Sequence, residues 1–174
     1  MGAKPFLKWA GGKRQLIPAI QAALPKDFSR TKDVTYVEPF IGGGAVLFWM
    51  LQTYTNVRKA IINDINPDLT IAYEVVRDQP GKLITFLSEM QENYFSINTE
   101  DKRRQFFEAA REEFNTRQLT HIRNTVLLIF LNRTCFNGLY RVNSKNKFNV
   151  PFGSFERPKI CDAKTLIADS ELLQ

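Results

Sequence analysis

Apolar and polar positions follow two patterns in the first half of the chain. Short apolar runs ending on a polar residue predict strands, and apolar residues recurring every three to four positions predict helices. In "GKRQLIPAIQAAL", Leu16, Ile17, Ile20, Ala23 and Leu24 share one helical face, and Pro25 stops that helix. Residues 4–8 predict a short extended segment before it. "VTYVEPFIGGGAVLFWML" predicts a buried strand over Val34–Glu38, a glycine turn, and an apolar helix from about Ala45 to Leu51. "KAIINDINPDL" repeats this order: a strand from Ala60 to Asn63, an acid at its end, then a helix with Asn66 as N-cap and Pro67 in its first turn. Strand–helix–strand–helix at this spacing predicts an α/β unit with a parallel sheet.

The pattern changes after Asp78. Pro80 opens a helix with Leu83, Phe86, Leu87 and Met90 at core spacing. A charged amphipathic helix follows with Phe106, Phe107, Ala110 and Phe114 inward, and then the largely apolar "THIRNTVLLIFLNRT" predicts a buried helix. From Gln79 to about Cys135 the chain is therefore expected to be helical. "FNGLYRVNSKNKFNVPFGSF" predicts a loop and a β-hairpin, with arms Leu139–Val142 and Lys147–Val150 around the turn "NSKN".

Composition adds limits. At 174 residues and 44% hydrophobic, the chain suits one globular domain with an insertion or a second small one. No apolar run approaches the ~20 residues of a membrane span, and the opening residues lack the apolar run of a secretory signal. Two cysteines, Cys135 and Cys161, and one histidine, His121, give neither a disulfide scaffold nor a metal-ligand cluster. A cytoplasmic monomer without metal is the expectation. The charge is uneven: of a net +6, residues 101–160 hold 12 Lys/Arg against 5 Asp/Glu, or +7, and the remainder nets −1. A basic half suits a polyanion such as duplex DNA, although a solvated lysine-rich face has the same composition.

Two glycine clusters carry candidate chemistry. In "EPFIGGG" a strand, a glycine turn and a helix follow in order, so backbone can approach a ligand closely. The NAD fingerprint is incomplete, because Gly42 and Gly44 fit but Leu47 stands in the third place; this weakens a dinucleotide oxidoreductase. Asp64, about 20 residues past the turn, stands where an acid takes ribose hydroxyls. "KWAGGK" lacks the spacing and the hydroxyl of a P-loop. An adenosine cofactor without a phosphate grip points to S-adenosylmethionine.

"FLKWAGGK", "YVEPFIGGG", "NDINPDL", "FLNRTCFNGLYRVN" and "KFNVPFGSF" together resemble, in this order, the DNA adenine N6-methyltransferase (Dam) family, from about Pro5 to Pro158. The resemblance implies a Rossmann-like methyltransferase sheet, incomplete in this chain, with an inserted helical and β-hairpin DNA-recognition domain. It divides the chain into a cofactor-binding part (1–78), a target-recognition part (79–158) and a return segment (159–174). Trp9, Lys13, Phe40, Gly42, Gly44 and Asp64 match the family's S-adenosylmethionine positions. Lys8, Phe136, Asn137, Arg141 and Pro151 match positions that contact duplex DNA, commonly at GATC. Ser154 departs from the best-known GATC enzyme, which has a basic residue there, and Cys135–Phe136 replaces a Gly–Tyr pair.

The side-chain chemistry fits those roles. Arg141 can bond guanine bidentately, and Leu139 or Pro151 can touch a thymine methyl. Lys145 and Lys147 suit phosphates, and an exposed Phe136 can wedge between bases. The family's catalytic Asp-Pro-Pro-Tyr, which accepts hydrogen bonds from the N6 amino group of a flipped adenine, is absent, for no two of the eight prolines are adjacent. The expectation is an N-terminal portion of such an enzyme, inactive alone. The alternative is a sequence-specific DNA-binding module without catalysis.

Overall fold

The computed structural model describes residues 2–174. A 3-10 turn, Lys13–Leu16, leads into helix α1, Ile17–Ala23. The single helix expected from Gly12 to Leu24 is thus split, and none of its residues is fully buried; Leu16 is 53% exposed. Leu24 is extended, the conformation that a following proline favours.

Strands β1 (Val34–Glu38) and β2 (Val57–Ile62) pair in parallel, Tyr36 opposite Ala60 and Glu38 opposite Ile62, with helix α2 (Ala45–Thr53) as the crossover. That is the α/β unit the spacing predicts. Strand β2 starts earlier than expected, because charged Arg58 and Lys59 interrupt its apolar pattern. The expected burial of β1 is corrected: Val37 is 57% and Ile61 of β2 46% exposed. Among the described residues the sheet has only these two strands, so each keeps an open edge.

Helix α3 (Pro67–Asp78) begins as predicted, with the Asn66 side chain accepting from the Asp68 N–H at 3.0 Å. The next segment is helical throughout: α4 (Pro80–Phe95), α5 (Glu100–Phe114) and α6 (His121–Thr134). Phe86 is corrected from core to surface (42% exposed), while Leu83, Leu87 and Met90 of the same helix are buried. Thr99 and Thr120 cap α5 and α6 with their hydroxyls. Helix α6 is the centre of the molecule: ten of its 14 residues are buried, and α3, α4 and α5 pack around it. Helix α7 (Ala163–Leu173) returns to pack on α2, α3 and α4. One hydrophobic cluster runs from Leu47 and Leu69 through Phe130 to Phe152 and Leu166, so the core is continuous across Asp78 and Gln79.

The segment 139–150 turns at Asn143–Asn146, where the Asn146 N–H bonds the Asn143 carbonyl at 2.9 Å. Its arms meet in a single antiparallel bridge, Val142 with Phe148, rather than in two regular strands. The bonds between the arms run from the Asn143 N–H to the Lys147 carbonyl and from the Asn149 N–H to the Arg141 carbonyl, while the Asn115 side chain bonds the outward-facing N–H and carbonyl of Phe148 at 2.7 and 3.0 Å. Among the described residues no helix is long and apolar enough to cross a membrane, and no group of His, Cys, Asp and Glu could hold a metal.

Candidate functional site

Strand β1 ends on a buried acid. Glu38 is 5% exposed, accepts a hydrogen bond from the Tyr36 hydroxyl at 2.8 Å, and forms an ion pair with Lys13 Nζ at 2.6 Å. Burial and this neighbouring acid hold the Tyr36 phenol far above its ordinary pKa, so the phenol remains a donor. Lys13 also donates to the Phe40 carbonyl, so its ammonium is spent on the strand end and the turn.

The chain then turns through glycines that no other residue could replace without strain. Gly42 has φ +52°, and a Cβ there would lie 3.2 Å from Trp9 Cδ1; Gly44 has φ +79°, and a Cβ there would lie 2.3 Å from the Tyr73 hydroxyl oxygen. Gly44 is also the N-cap of α2. Asp64, just past the end of β2, closes the arrangement. Its Oδ2 accepts from the Gly42 N–H at 2.9 Å and its Oδ1 from the Asn66 N–H at 3.0 Å. Each oxygen keeps a lone pair for a hydroxyl donor.

These parts enclose a cleft of about 510 Å³, within the usual range for a small-molecule site. Trp9, Lys13, Phe40, Gly42, Gly44 and Asp64, the residues singled out from sequence for one ligand, all line it. Trp9 is a side wall, with Gly42 and Gly43 against it. Phe40 stands 72% exposed. The glycine cradle, the aromatic wall and the free lone pairs of Asp64 fit an adenosine-bearing cofactor.

Lys8, Phe136, Asn137, Leu139, Arg141, Lys145, Lys147 and Pro151 are all exposed. Phe136 is 52% exposed, so it is not a core aromatic, and its N–H bonds the Pro151 carbonyl at 2.9 Å, which brings these two residues together. Asn137 takes a left-handed φ of +54° beside Gly138 at +65°. Arg141 bonds the Asn149 side chain and carbonyl at 2.8 and 3.1 Å, joining the two arms. Lys8 lies in contact with Gly138, where a Cβ would come 2.5 Å from its Cδ, and its ammonium lies 5.7 Å from the Phe155 ring centroid.

Three further contributors escaped the sequence reading. Asn132, 2% exposed on α6, accepts from the Lys8 N–H at 2.9 Å and donates to the Lys8 and Gly138 carbonyls, each at 2.8 Å. It ties the N-terminal segment to the Phe136–Gly138 loop by hydrogen bonds to both, and a polar residue inside the apolar run of α6 was its only signal. Tyr140 stacks on Trp9 with centroids 5.1 Å apart. Ile65, directly after Asp64, is 92% exposed and offers an apolar surface beside the acid.

Comparison with known proteins gives these features a family. The D12 class N6 adenine-specific DNA methyltransferase family matches residues 9–174. The chain is 46% identical, over its whole length, to the type II methyltransferase M.MjaIII of Methanocaldococcus jannaschii, of which it covers 60%. It is 37% identical over 98% of its length to the type II methyltransferase M1.LlaDCHI of Lactococcus lactis subsp. cremoris, covering 55% of that protein. Over 88% of its length it is 36% identical to the DNA adenine methylase of Haemophilus influenzae, covering 48% of that protein. The chain thus spans about half to three-fifths of these relatives, and the oxidoreductase alternative falls. A glycine turn braced by an acid, an exposed basic hairpin and a match over almost the whole chain agree: it belongs to the D12 class of N6 adenine-specific DNA methyltransferases.

Proposed function

We propose that this chain forms the cofactor cleft and the duplex-recognition surface of an enzyme that methylates N6 of a flipped adenine, with S-adenosylmethionine as donor and GATC as site. One observation carries most weight: six residues far apart in sequence, chosen for one ligand, line one cleft, and its Trp9 wall touches the residue next to Arg141. The cofactor supplies an electrophilic methyl group. Trp9 and the exposed Ile65 would take its apolar surfaces, Asp64 its ribose hydroxyls, and the glycine turn would let backbone come close. Lys13, already bound to Glu38 and the Phe40 carbonyl, would hold the wall in place more than grip the ligand.

On the DNA side, Arg141 and Lys8 would read base edges, with Leu139 and Pro151 on thymine methyls. Phe136 would enter the stack, Asn137 would meet the duplex backbone, and Lys145 and Lys147 would meet phosphates. Residues 1–78 serve the cofactor and 79–158 the target in this scheme. Acceptors for the N6 hydrogens would come from an Asp-Pro-Pro-Tyr motif, and these 174 residues contain no Pro-Pro pair. A polypeptide of these residues alone is therefore expected not to methylate DNA. The second reading is a DNA-binding module without catalysis, which a folded chain that binds the duplex but no S-adenosylmethionine would favour.

Two substitutions test the division of labour. Trp9→Ala removes the cleft wall and should weaken S-adenosylmethionine about tenfold, the effect of ~1.4 kcal/mol. Lys8→Ala should weaken the specific duplex and spare the cofactor. Both changes acting on only one ligand would overturn the assignment.

A further inference from the structure

One buried carboxylate joins the cleft to the hairpin. Asp68, in the first turn of α3 and 5% exposed, accepts from three side chains. Asn124 Nδ2 bonds Oδ1 at 3.1 Å; the Tyr140 hydroxyl and Arg117 Nη1 bond Oδ2 at 2.6 and 2.8 Å. Burial, reinforced by Asp68, pushes the Tyr140 phenol up to about 12, so it stays a donor. Removing one partner of such a buried set is costly, so its geometry is held firmly.

Both partners on Oδ2 lead into the recognition segment. Arg117, resting on the Phe114 ring 4.5 Å from its centroid, donates Nε and Nη2 to the Asn146 carbonyl in the hairpin turn at 3.0 and 2.7 Å. Tyr140 directly precedes Arg141, and its ring stacks on Trp9 at 5.1 Å with 30° between planes. The other side of the circuit is Asp64, which bonds both the Gly42 N–H and the N–H of Asn66, the N-cap of the helix that carries Asp68. The hairpin is therefore fixed at its turn and at the residue before Arg141, and the second anchor backs onto the wall of the cleft.

We propose that Tyr140 is a positioning residue that couples occupancy of the Trp9 cleft to recognition of duplex DNA, so that each ligand tightens the other. This rests on the function proposed above. A group packed against Trp9 restrains the Trp9–Tyr140 stack, and with it the backbone that aims Arg141. A duplex gripping Arg141 restrains the same stack from the other end. Whichever ligand binds second meets an element already ordered, and linkage makes the effect equal in both directions.

The test is a binding cycle. S-adenosylmethionine is titrated calorimetrically into the 174-residue chain alone, then into the chain saturated with a short GATC duplex or a scrambled duplex of equal length. Wild type should bind the cofactor about tenfold tighter with the GATC duplex, a usual size for such coupling. Tyr140→Phe keeps the ring against Trp9 but loses the bond to Asp68, and should cut that ratio several-fold; Tyr140→Leu should bring it near one. A residue that only supports the fold would weaken both ligands and leave the ratio intact. A wild-type ratio of one with both ligands bound, or a ratio unchanged in Tyr140→Phe, overturns the coupling while leaving the cleft assignment in place. Absence of any cofactor binding overturns the cleft assignment and the coupling with it. Should Tyr140→Leu fail to fold, Tyr140→Phe decides alone.

Discussion

Gly11 and Gly44 line the same cleft with similar left-handed backbones, φ +71° and +79°, yet their surroundings differ completely. Alanine at either position pays the left-handed penalty, about 1 kcal/mol. At Gly11 nothing else lies within 4 Å of the new Cβ, so the cost should stop there. At Gly44 the Cβ would lie 2.3 Å from the Tyr73 hydroxyl and 3.1 Å from Phe48 Cε2, and both rings are buried. Tyr73 cannot simply swing away, because its hydroxyl donates to the Gly42 carbonyl at 3.1 Å and Phe6 packs edge-on at 5.2 Å. Overpacking of this kind adds about 1–3 kcal/mol, so Gly44→Ala should cost about 2–4 kcal/mol in total. Urea unfolding of the two variants and wild type measures the difference. Tyr73→Phe in the Gly44→Ala background removes the offending oxygen, so the double variant should lose less than the sum of the two singles. Equal costs at Gly11 and Gly44, or strict additivity with Tyr73→Phe, would refute the close approach that shapes the turn.

Asp169 is fully buried; its Oδ1 accepts from the Lys4 N–H at 2.9 Å while Oδ2 has no partner, and burial pushes its pKa from 3.8 up to about 7. Between those values the folded chain holds a proton that the unfolded chain lacks, so this group's contribution is full below about pH 4 and lost as pH rises through 7, by up to about 4 kcal/mol. Asp169→Asn should therefore raise Tm at pH 8 and flatten its dependence from pH 5 to 8; an unchanged slope would contradict this. Asn132→Ala deletes three hydrogen bonds of a buried side chain, at about 1 kcal/mol each, and should lower stability by about 3 kcal/mol in urea unfolding, with duplex affinity falling alongside as Lys8 comes loose. Phe136→Ala, at an exposed position, should leave the free energy of urea unfolding within about 0.5 kcal/mol of wild type and yet weaken duplex binding.

The legible parts of this molecule are those whose determinants sit close together in the chain. The turn at Gly42–Gly44, the strand-end acid Asp64 and the Asn66–Pro67 helix start could each be read from a few neighbouring residues, and the structure puts them where expected. What sequence did not disclose depends on distant pairings. The bonds of Asn132 to Lys8 span 124 positions, and Tyr140 meets Trp9 and Asp68 from the far side of the helical segment; no periodicity marks such partners. The exposure of Val37 and Ile61 was hidden for a different reason, since an apolar strand looks the same whether or not neighbours cover it. Phe86 shows the converse, for helical spacing says which residues share a face but not how wide the covered stripe is.

The cleft beneath Trp9 is the centre of this account, and direct titration is its plainest test. S-adenosylmethionine titrated into the purified chain should bind at one site per chain, with affinity reduced about tenfold in Trp9→Ala, while NAD should give no heat of binding. A chain that is folded by circular dichroism yet binds NAD, or binds no S-adenosylmethionine, would contradict the account.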